Sequence, residues 1–234
     1  MVYKYTQWLQ SILFPPQCRL CGIATGTALR LCSQCLAESP WIRNACTQCC
    51  TPLPEQSGDN RCGHCQKQPP AFDTTTALFH YRPPVDYLIK QLKFASELGI
   101  VPLLAALLSA RMATRAATLP SLLVPVPLHP TRLRERGFNQ ATELARRVGR
   151  ELGIRSDHRL CRRNRDTRPQ SLLSPNARRL NLRNAFSVQG GCVARHVAII
   201  DDVMTTGHTS NELARVLKQA GAERVEVWVI ARAG

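Results

Sequence analysis

The chain has 234 residues, with 31 Lys and Arg against 16 Asp and Glu, for a formal charge of +15. That length accommodates one medium domain and a small module, and a basic balance of this size suits an anionic partner, either nucleic acid or a phosphate-rich substrate. Residues 1–16 (MVYKYTQWLQSILFPP) lack a long apolar core and a small-residue cleavage site, and WLQSILF falls far short of the ~20 apolar residues of a membrane span, so the expectation is a cytoplasmic protein without a membrane span.

Eleven cysteines are many for a reducing compartment, where disulfides are disfavoured. Eight of them fall into regular knuckles: Cys18-x-x-Cys21, Cys32-x-x-Cys35, Cys46-x-x-Cys49 and Cys62-x-x-Cys65. Each CxxC turn presents two thiolates to one ion, and two such turns complete a tetrahedron, so the spacing predicts two zinc ions within a double zinc-ribbon module over residues 14–68. The first two knuckles form one quartet and the last two another; an interleaved pairing has the same spacing and stays open. Cys50 follows Cys49 directly and is an alternative ligand, but Cys49 preserves the two-residue spacing, and His64 reads as a solvated turn residue. The module is poor in large apolar residues, so bound metal supplies much of its folding energy. Eight thiolates on two Zn²⁺ would lower the formal charge from +15 to about +11, still strongly basic.

PPAFD (Pro69 to Asp73) reads as a linker into a second domain over residues 72–234. TTTALFHYRP alternates enough for a strand or hairpin. Val85 to Phe94 and Leu98 to Leu108 read as helices with Ile89, Leu92 and Leu104 on buried faces, while Lys90 and Lys93 read as solvated, with Lys93 within reach of a ligand. SLLVPVPLH (Ser121 to His129) is an apolar strand ending in prolines. Arg132, Arg134 and Arg136 then precede Gly137 on what reads as a loop, and a helix carrying Leu144, Ala145 and Val148 follows. An arginine-rich loop between a strand and a helix is a candidate anion site, because guanidinium groups bind phosphate oxygens in pairs.

The stretch from Arg155 to Arg183 is crowded with arginine and lacks hydrophobic periodicity, as expected of a flexible hood over a site or a groove for a polyanion. Cys161 and Cys192 stand alone and read as buried small hydrophobes.

Val197 to Thr209, VAIIDDVMTTGHT, is the most informative segment. The apolar run Val197 to Ile200 fits a strand buried on both faces of a parallel sheet, and Asp201 and Asp202 fall at its C-terminal end, where open α/β sheets bind ligands. Two adjacent carboxylates accept hydrogen bonds from two neighbouring hydroxyls, as on a ribose, or face a ribose-bound metal. Thr205, Thr206, Gly207, His208 and Thr209 offer N–H groups and hydroxyls at the start of a helix, whose N-terminus favours an anion. The helix runs to a C-cap at Gly221, and Val225 to Ala231 forms a last strand.

This last motif resembles the binding motif for 5-phosphoribosyl-1-pyrophosphate (PRPP) of type I phosphoribosyltransferases. The resemblance implies that Asp201 and Asp202 meet the ribose hydroxyls, with Mg²⁺ accompanying PRPP. It implies further that Thr205 to Thr209 hold the 5-phosphate and that the segment of Arg132, Arg134, Arg136 and Gly137 contacts the pyrophosphate. Thr205 stands where purine-salvage members with a carboxylate beside the base carry Asp, and a threonine is no general base without activation. The segment VPVPLHPTRLRERGFNQATELA, the FPPQCRLC entry to the knuckles, and RRNRDTRPQSLLSPNARRLNLRNAF are similar to the ComF/GntX family of competence-associated, phosphoribosyltransferase-like proteins. Thr167, Gln170, Arg178 and Asn181 hold that family's places in the hood, whereas Cys50 stands where it usually has Gly. The implied fold is α/β, a type I phosphoribosyltransferase-like domain with a mainly parallel sheet, preceded by the Cys-rich zinc-ribbon module. The implied role is DNA uptake and natural transformation, with PRPP, single-stranded DNA and competence or recombination proteins as partners. No residue set names an acceptor base or a catalytic group, so transferase turnover and binding without turnover both stay open. The six Phe, four Tyr and three Trp are scattered rather than interleaved with basic residues, so DNA contact would be mostly electrostatic.

Overall fold

The computed structural model describes residues 16–26, 29–54, 60–94, 97–165, 185–190 and 194–234. The hood positions Thr167, Gln170, Arg178 and Asn181 lie outside the described residues, as does Cys192.

Two short helices in the Cys-rich module, α1 (Ser33–Ala37) and α2 (Gly63–Lys67), each begin one residue after a knuckle cysteine, Cys32 and Cys62. Strand β1 (Thr74–His80), helices α3 (Val85–Phe94) and α4 (Val101–Ala113), strand β2 (Leu122–Pro125) and helices α5 (Pro130–Arg136) and α6 (Gln140–Leu152) follow. Then come strands β3 (Arg155–Ser156), β4 (Cys161–Arg163), β5 (Phe186–Val188) and β6 (His196–Met204), helix α7 (His208–Gln219) and strand β7 (Arg224–Arg232). Five strands form one sheet in the order β1-β7-β6-β2-β3, every pairing parallel, while β4 and β5 make a separate antiparallel ribbon. This is the expected α/β fold after a Cys-rich module.

The sheet is buried on both faces, which is why its central strands read as continuous apolar runs. Period-two alternation sends Val197 and Ile199 of β6 and Val225, Val227 and Val229 of β7 to one face, where Leu213, Ala214 and Leu217 of α7 cover them. Ala198, Ile200, Trp228 and Ile230 face the other way, onto Leu92, Leu104, Leu108, Leu144 and Val148 of the helices behind. Leu92, Leu104, Leu144 and Val148 have no exposed surface, and each such side chain contributes roughly 1.5–3 kcal/mol by leaving water.

The metal module is not a separate body. Cys18 and Leu31 sit in the core cluster on the α4 side, while Cys46, Cys49, Cys50 and Cys65 sit in the cluster on the α7 side. Between them the chain covers the open edge of β1: Ile42 N–H donates to the Leu78 carbonyl at 2.9 Å, and His80 N–H donates to the Pro40 carbonyl at 2.8 Å. Trp41 lies on Phe79 with ring centroids 4.4 Å apart. Covering an edge strand in this way removes a template for unwanted strand pairing.

Helix α4 starts at Val101 rather than Leu98, and β3 and β4 order the first part of the Arg155–Arg183 stretch; two further differences bear on the site. β6 continues through Asp201 and Asp202 to Met204 instead of stopping at Ile200, because β7 keeps pairing with it as far as Met204 opposite Arg232. The three arginines lie on a short helix, α5, bounded by Pro130 at its first position and by Gly137 in a left-handed C-cap (φ 77°), the Pro-in, Gly-out asymmetry of helix ends.

Candidate functional site

The thiolates converge as sequential quartets: Cys18, Cys21, Cys32 and Cys35 in one, Cys46, Cys49, Cys62 and Cys65 in the other, each with its four sulfurs within 4.8 Å of one another. The Cys21–Cys32 and Cys49–Cys62 sulfur separations are 3.7 and 3.6 Å, close to the edge of about 3.8 Å in a tetrahedron with Zn–S bonds of about 2.3 Å. The donor sets fit two zinc ions. Cys50 belongs to neither quartet; it is buried in the α7-side core with φ 57°, a left-handed conformation that favours glycine. His64 is exposed.

At the C-terminal edge of the sheet a cavity of about 370 Å³ joins Asp201, Asp202, Thr205 and Thr209 to Arg132 and Arg136. Four residues apart on α5, Arg132 and Arg136 share a helix face; Arg134 is not among the residues lining this cavity, and Gly137 lines the neighbouring one. Thr206, Gly207 and His208 form the other side of the loop, facing a cavity of about 340 Å³ beside the second quartet. Gly207 has φ 78° and caps α7 without a side-chain hydrogen bond. The first N–H groups of α7 therefore lack an Asp or Ser cap, the condition under which a helix N-terminus takes an anion. A Cβ at Gly207 would meet Met204 Cε, the movable end of a side chain, at 2.6 Å; it is the positive φ that favours glycine here.

The two aspartates are held by their own backbone. Asp201 Oδ1 accepts from Asp202 N–H at 2.9 Å, and Asp202 Oδ1 accepts from Val203 N–H at 2.7 Å. Burial, then the charge of Asp202, pushes the Asp201 carboxyl up to about 7 against the opposing pull of Lys93. Lys93 Nζ lies 3.0 Å from Asp202 Oδ2. That contact is a charge pair without hydrogen-bond geometry, since Oδ2 is buried and accepts no hydrogen bond.

The cavity also collects Asn139, Gln140 and Arg163, which are not among the site residues expected from the sequence. Asn139 caps α6 by accepting from Ala141 N–H at 3.0 Å and donates to the Val126 carbonyl at 3.0 Å; an Asn before a helical run is a sequence signal for that role. Gln140 is buried with its Nε2 unpartnered, and no local pattern announces it. One wall thus presents carboxylate acceptors and the opposite side presents amide and cationic donors. A second cavity of about 500 Å³ adjoins it, sharing Leu128, Asn139 and Arg163 and adding Phe138, Leu133 and Arg162.

Among the described residues no helix is long and apolar enough to cross a membrane. Residues 9–66 match the family model of the double zinc ribbon domain. The chain is 35% identical over 223 residues to DNA utilization protein YhgH of Escherichia coli O157:H7, covering 93% of this chain and 97% of that one. It is 40% identical to Competence protein F of Haemophilus influenzae over 179 residues, 74% of this chain and 78% of that one. It is 25% identical to Competence protein ComFC of Streptococcus pneumoniae, over 92% of this chain and 100% of that one. A purine phosphoribosyltransferase from Pyrococcus horikoshii Ot3 overlays 55% of this chain and 79% of that one, with TM-score 0.34 and 14% identity, a likeness too slight to carry an argument. With near-full-length relatives of this kind and the paired tetracysteine ribbons, the chain belongs to the ComF/GntX family of competence-associated, phosphoribosyltransferase-like proteins.

Proposed function

We propose that the chain binds PRPP with Mg²⁺ in the Asp201–Asp202 cavity and serves the handling of single-stranded DNA in the cytoplasm. One observation carries the reading: a single cavity is lined by the acidic pair, by Thr205 and Thr209 at the start of α7, and by Arg132 and Arg136 of α5. A sugar diol flanked by two phosphate-bearing ends has the complementary polarity. Asp201 and Asp202 would accept from the ribose hydroxyls or hold its Mg²⁺, Thr205 to Thr209 would take the 5-phosphate, and Arg132 and Arg136 would take the pyrophosphate. Their fixed placement would stabilise charge on a departing pyrophosphate without reorganisation. In this reading the ribbon module (14–68) and the phosphoribosyltransferase-like domain (72–234) work together.

DNA handling is supported by the names of the relatives and by the charge of +15. Competence or recombination proteins would be its macromolecular partners. The test is ³¹P NMR of PRPP and Mg²⁺ with the protein and a panel of nucleobases, beside a salt titration of single-stranded DNA binding. PRPP line broadening without turnover marks a binding protein. Free pyrophosphate growing with one base marks a transferase and names its acceptor. An unperturbed PRPP spectrum refutes the PRPP reading, and DNA affinity that is absent or insensitive to salt refutes electrostatic DNA handling.

A further inference from the structure

Arg232 ends β7, in register with Met204 of β6 and His80 of β1. Its side chain is buried, and its donors reach two different parts of the chain. Nε donates to the Cys49 carbonyl at 3.0 Å and Nη2 donates to the Thr51 hydroxyl at 3.0 Å, both in the third knuckle region. Nη1 donates to the Thr205 and Ala233 carbonyls and lies 3.5 Å from the Met204 carbonyl. One guanidinium therefore ties a cysteine of the second quartet to the first residues of the Thr-Gly loop.

The surrounding packing runs along the same line. Met204 shares a core cluster with Phe72 and with Cys46, Cys49 and Cys65, and its Cε fills the space a Cβ at Gly207 would need. Gln48 Nε2 donates to the Phe72 carbonyl at 3.3 Å, and Ala71 N–H donates to Asn211 Oδ1 on the first turn of α7 at 2.6 Å. The loop is thus flanked by the second quartet on one side and by the Asp201–Asp202 cavity on the other. The first quartet packs into the core on the opposite face of the sheet.

A guanidinium is planar and holds its donors in a fixed fork, so it fixes the relative positions of the carbonyls it joins. The peptide unit is planar and trans, so a Thr205 carbonyl held toward the knuckle turns the Thr206 N–H to the opposite side of the loop. We propose that Arg232 is a positioning residue through which the second tetracysteine centre sets the conformation of the phosphate loop. With Cys46, Cys49, Cys62 and Cys65 tied to one ion, the Cys49 carbonyl is fixed and Arg232 transmits that position to the loop. Without the ion the knuckle loosens, the loop loses its anchor and anion affinity falls, whereas loss of the first centre leaves the loop as it is. The effect on PRPP rests on the reading above; the coupling of knuckle to loop does not.

The experiment follows two readouts across one panel: wild type, Arg232→Met, Arg232→Lys, Cys62→Ser with Cys65→Ser, and Cys18→Ser with Cys21→Ser. The first readout is hydrogen exchange of the peptide covering residues 203–211, and the second is calorimetric affinity for Mg²⁺–PRPP. Arg232→Met and the second-centre variant are expected to speed loop exchange about tenfold relative to the β2 peptide. They should also weaken PRPP about tenfold, or about 1.4 kcal/mol. Arg232→Lys keeps the charge without the fork and should fall between wild type and Arg232→Met. The first-centre variant should match wild type in loop exchange. Thr51→Val removes one arm of the anchor and should shift exchange in the same direction by less, which keeps the test alive if Arg232→Met does not fold. Loop exchange unchanged in both Arg232→Met and the second-centre variant, or sped equally by losing the first centre, overturns the proposal. If wild type binds no PRPP, the functional reading fails and loop exchange alone decides the coupling.

Discussion

Lys93 Nζ stands 3.0 Å from Asp202 Oδ2, joining the last turn of α3 to the end of β6 across the cavity. The sequence offers Lys93 as a solvated helix lysine within reach of a ligand; the fold makes it the counter-charge of a buried carboxylate. Oδ2 accepts no hydrogen bond, so the lysine charge is what offsets its desolvation. Lys93→Met should destabilise the protein by about 1–3 kcal/mol by leaving that carboxylate uncompensated. Asp202→Asn in the same chain should recover most of the loss. Urea unfolding of the two single variants and the double variant closes the cycle, and strictly additive losses would mean that the two groups are not coupled.

Asp201 gives the site a pH dependence. Burial and the neighbouring Asp202 charge raise its carboxyl to about 7, so the folded state binds its proton more tightly than the unfolded state does. Its stabilising contribution is complete below the unfolded carboxylate range and is lost as pH rises through about 7. Hydroxyls and Mg²⁺ call for the ionised form. Affinity for Mg²⁺–PRPP should therefore rise as pH climbs through about 7, with proton release on binding. Calorimetry in buffers of different ionisation enthalpy measures that release, and Asp201→Asn should remove the protein's share of it. Identical proton release in wild type and Asp201→Asn would contradict the assignment.

The geometry separates Cys49 from its neighbour. Cys49→Ser should cut the zinc content from two ions per chain to one, whereas Cys50→Gly should keep both, since Cys50 lies outside the quartets and already adopts φ 57°. Elemental analysis of the purified variants reads this directly; zinc loss in Cys50→Gly would show that Cys50 is a ligand. Because the quartets pack into both cores, Cys49→Ser should also lower the melting temperature of the whole chain.

At the opposite end of the sheet Glu226 has no exposed surface and gathers four partners. Arg115 donates to it through two nitrogens at 3.1 and 2.9 Å, Trp228 Nε1 donates at 2.9 Å, and Arg224 and His196 lie 2.9 and 3.1 Å away. Burial pushes its carboxyl up, but the hydrogen bonds from Arg115 and Trp228 and the arginine charges outweigh it and hold the group below its ordinary value. Glu226→Gln keeps the shape and removes the charge, leaving the arginines uncompensated. Arg115 and Arg224 are part-exposed, so solvent screens the charges left behind and a loss of about 1–3 kcal/mol in chemical denaturation is expected; a loss under about 0.5 kcal/mol would show that the cluster is no more than a surface network.

What the sequence disclosed followed from local chemistry. The CxxC spacing located both quartets, the apolar run Val197 to Ile200 located a central strand, and the Thr-Gly stretch after it located the start of a helix. What it concealed depended on partners distant in the chain. The extension of β6 past Asp201 comes from pairing with β7. The helical state of the α5 arginines was hidden because seven residues are too few to display a period, although Pro130 and Gly137 bracket them. Gln140 and Arg163 reach the cavity only through the packing of α6 and the β4–β5 ribbon, and nothing in their immediate neighbourhood marks them. The pairing of Arg232 with Cys49 spans 183 residues and has no sequence signature.

The most direct test of the central claim is titration calorimetry of Mg²⁺–PRPP into zinc-loaded wild-type protein and into the Asp201→Asn, Asp202→Asn double variant, with zinc content and circular dichroism matched between them. Saturable binding by the wild type and its loss in the variant, with both zinc ions retained, are the expected results. Equal affinity in the two proteins would contradict the placement of PRPP between the acidic pair and the α5 arginines.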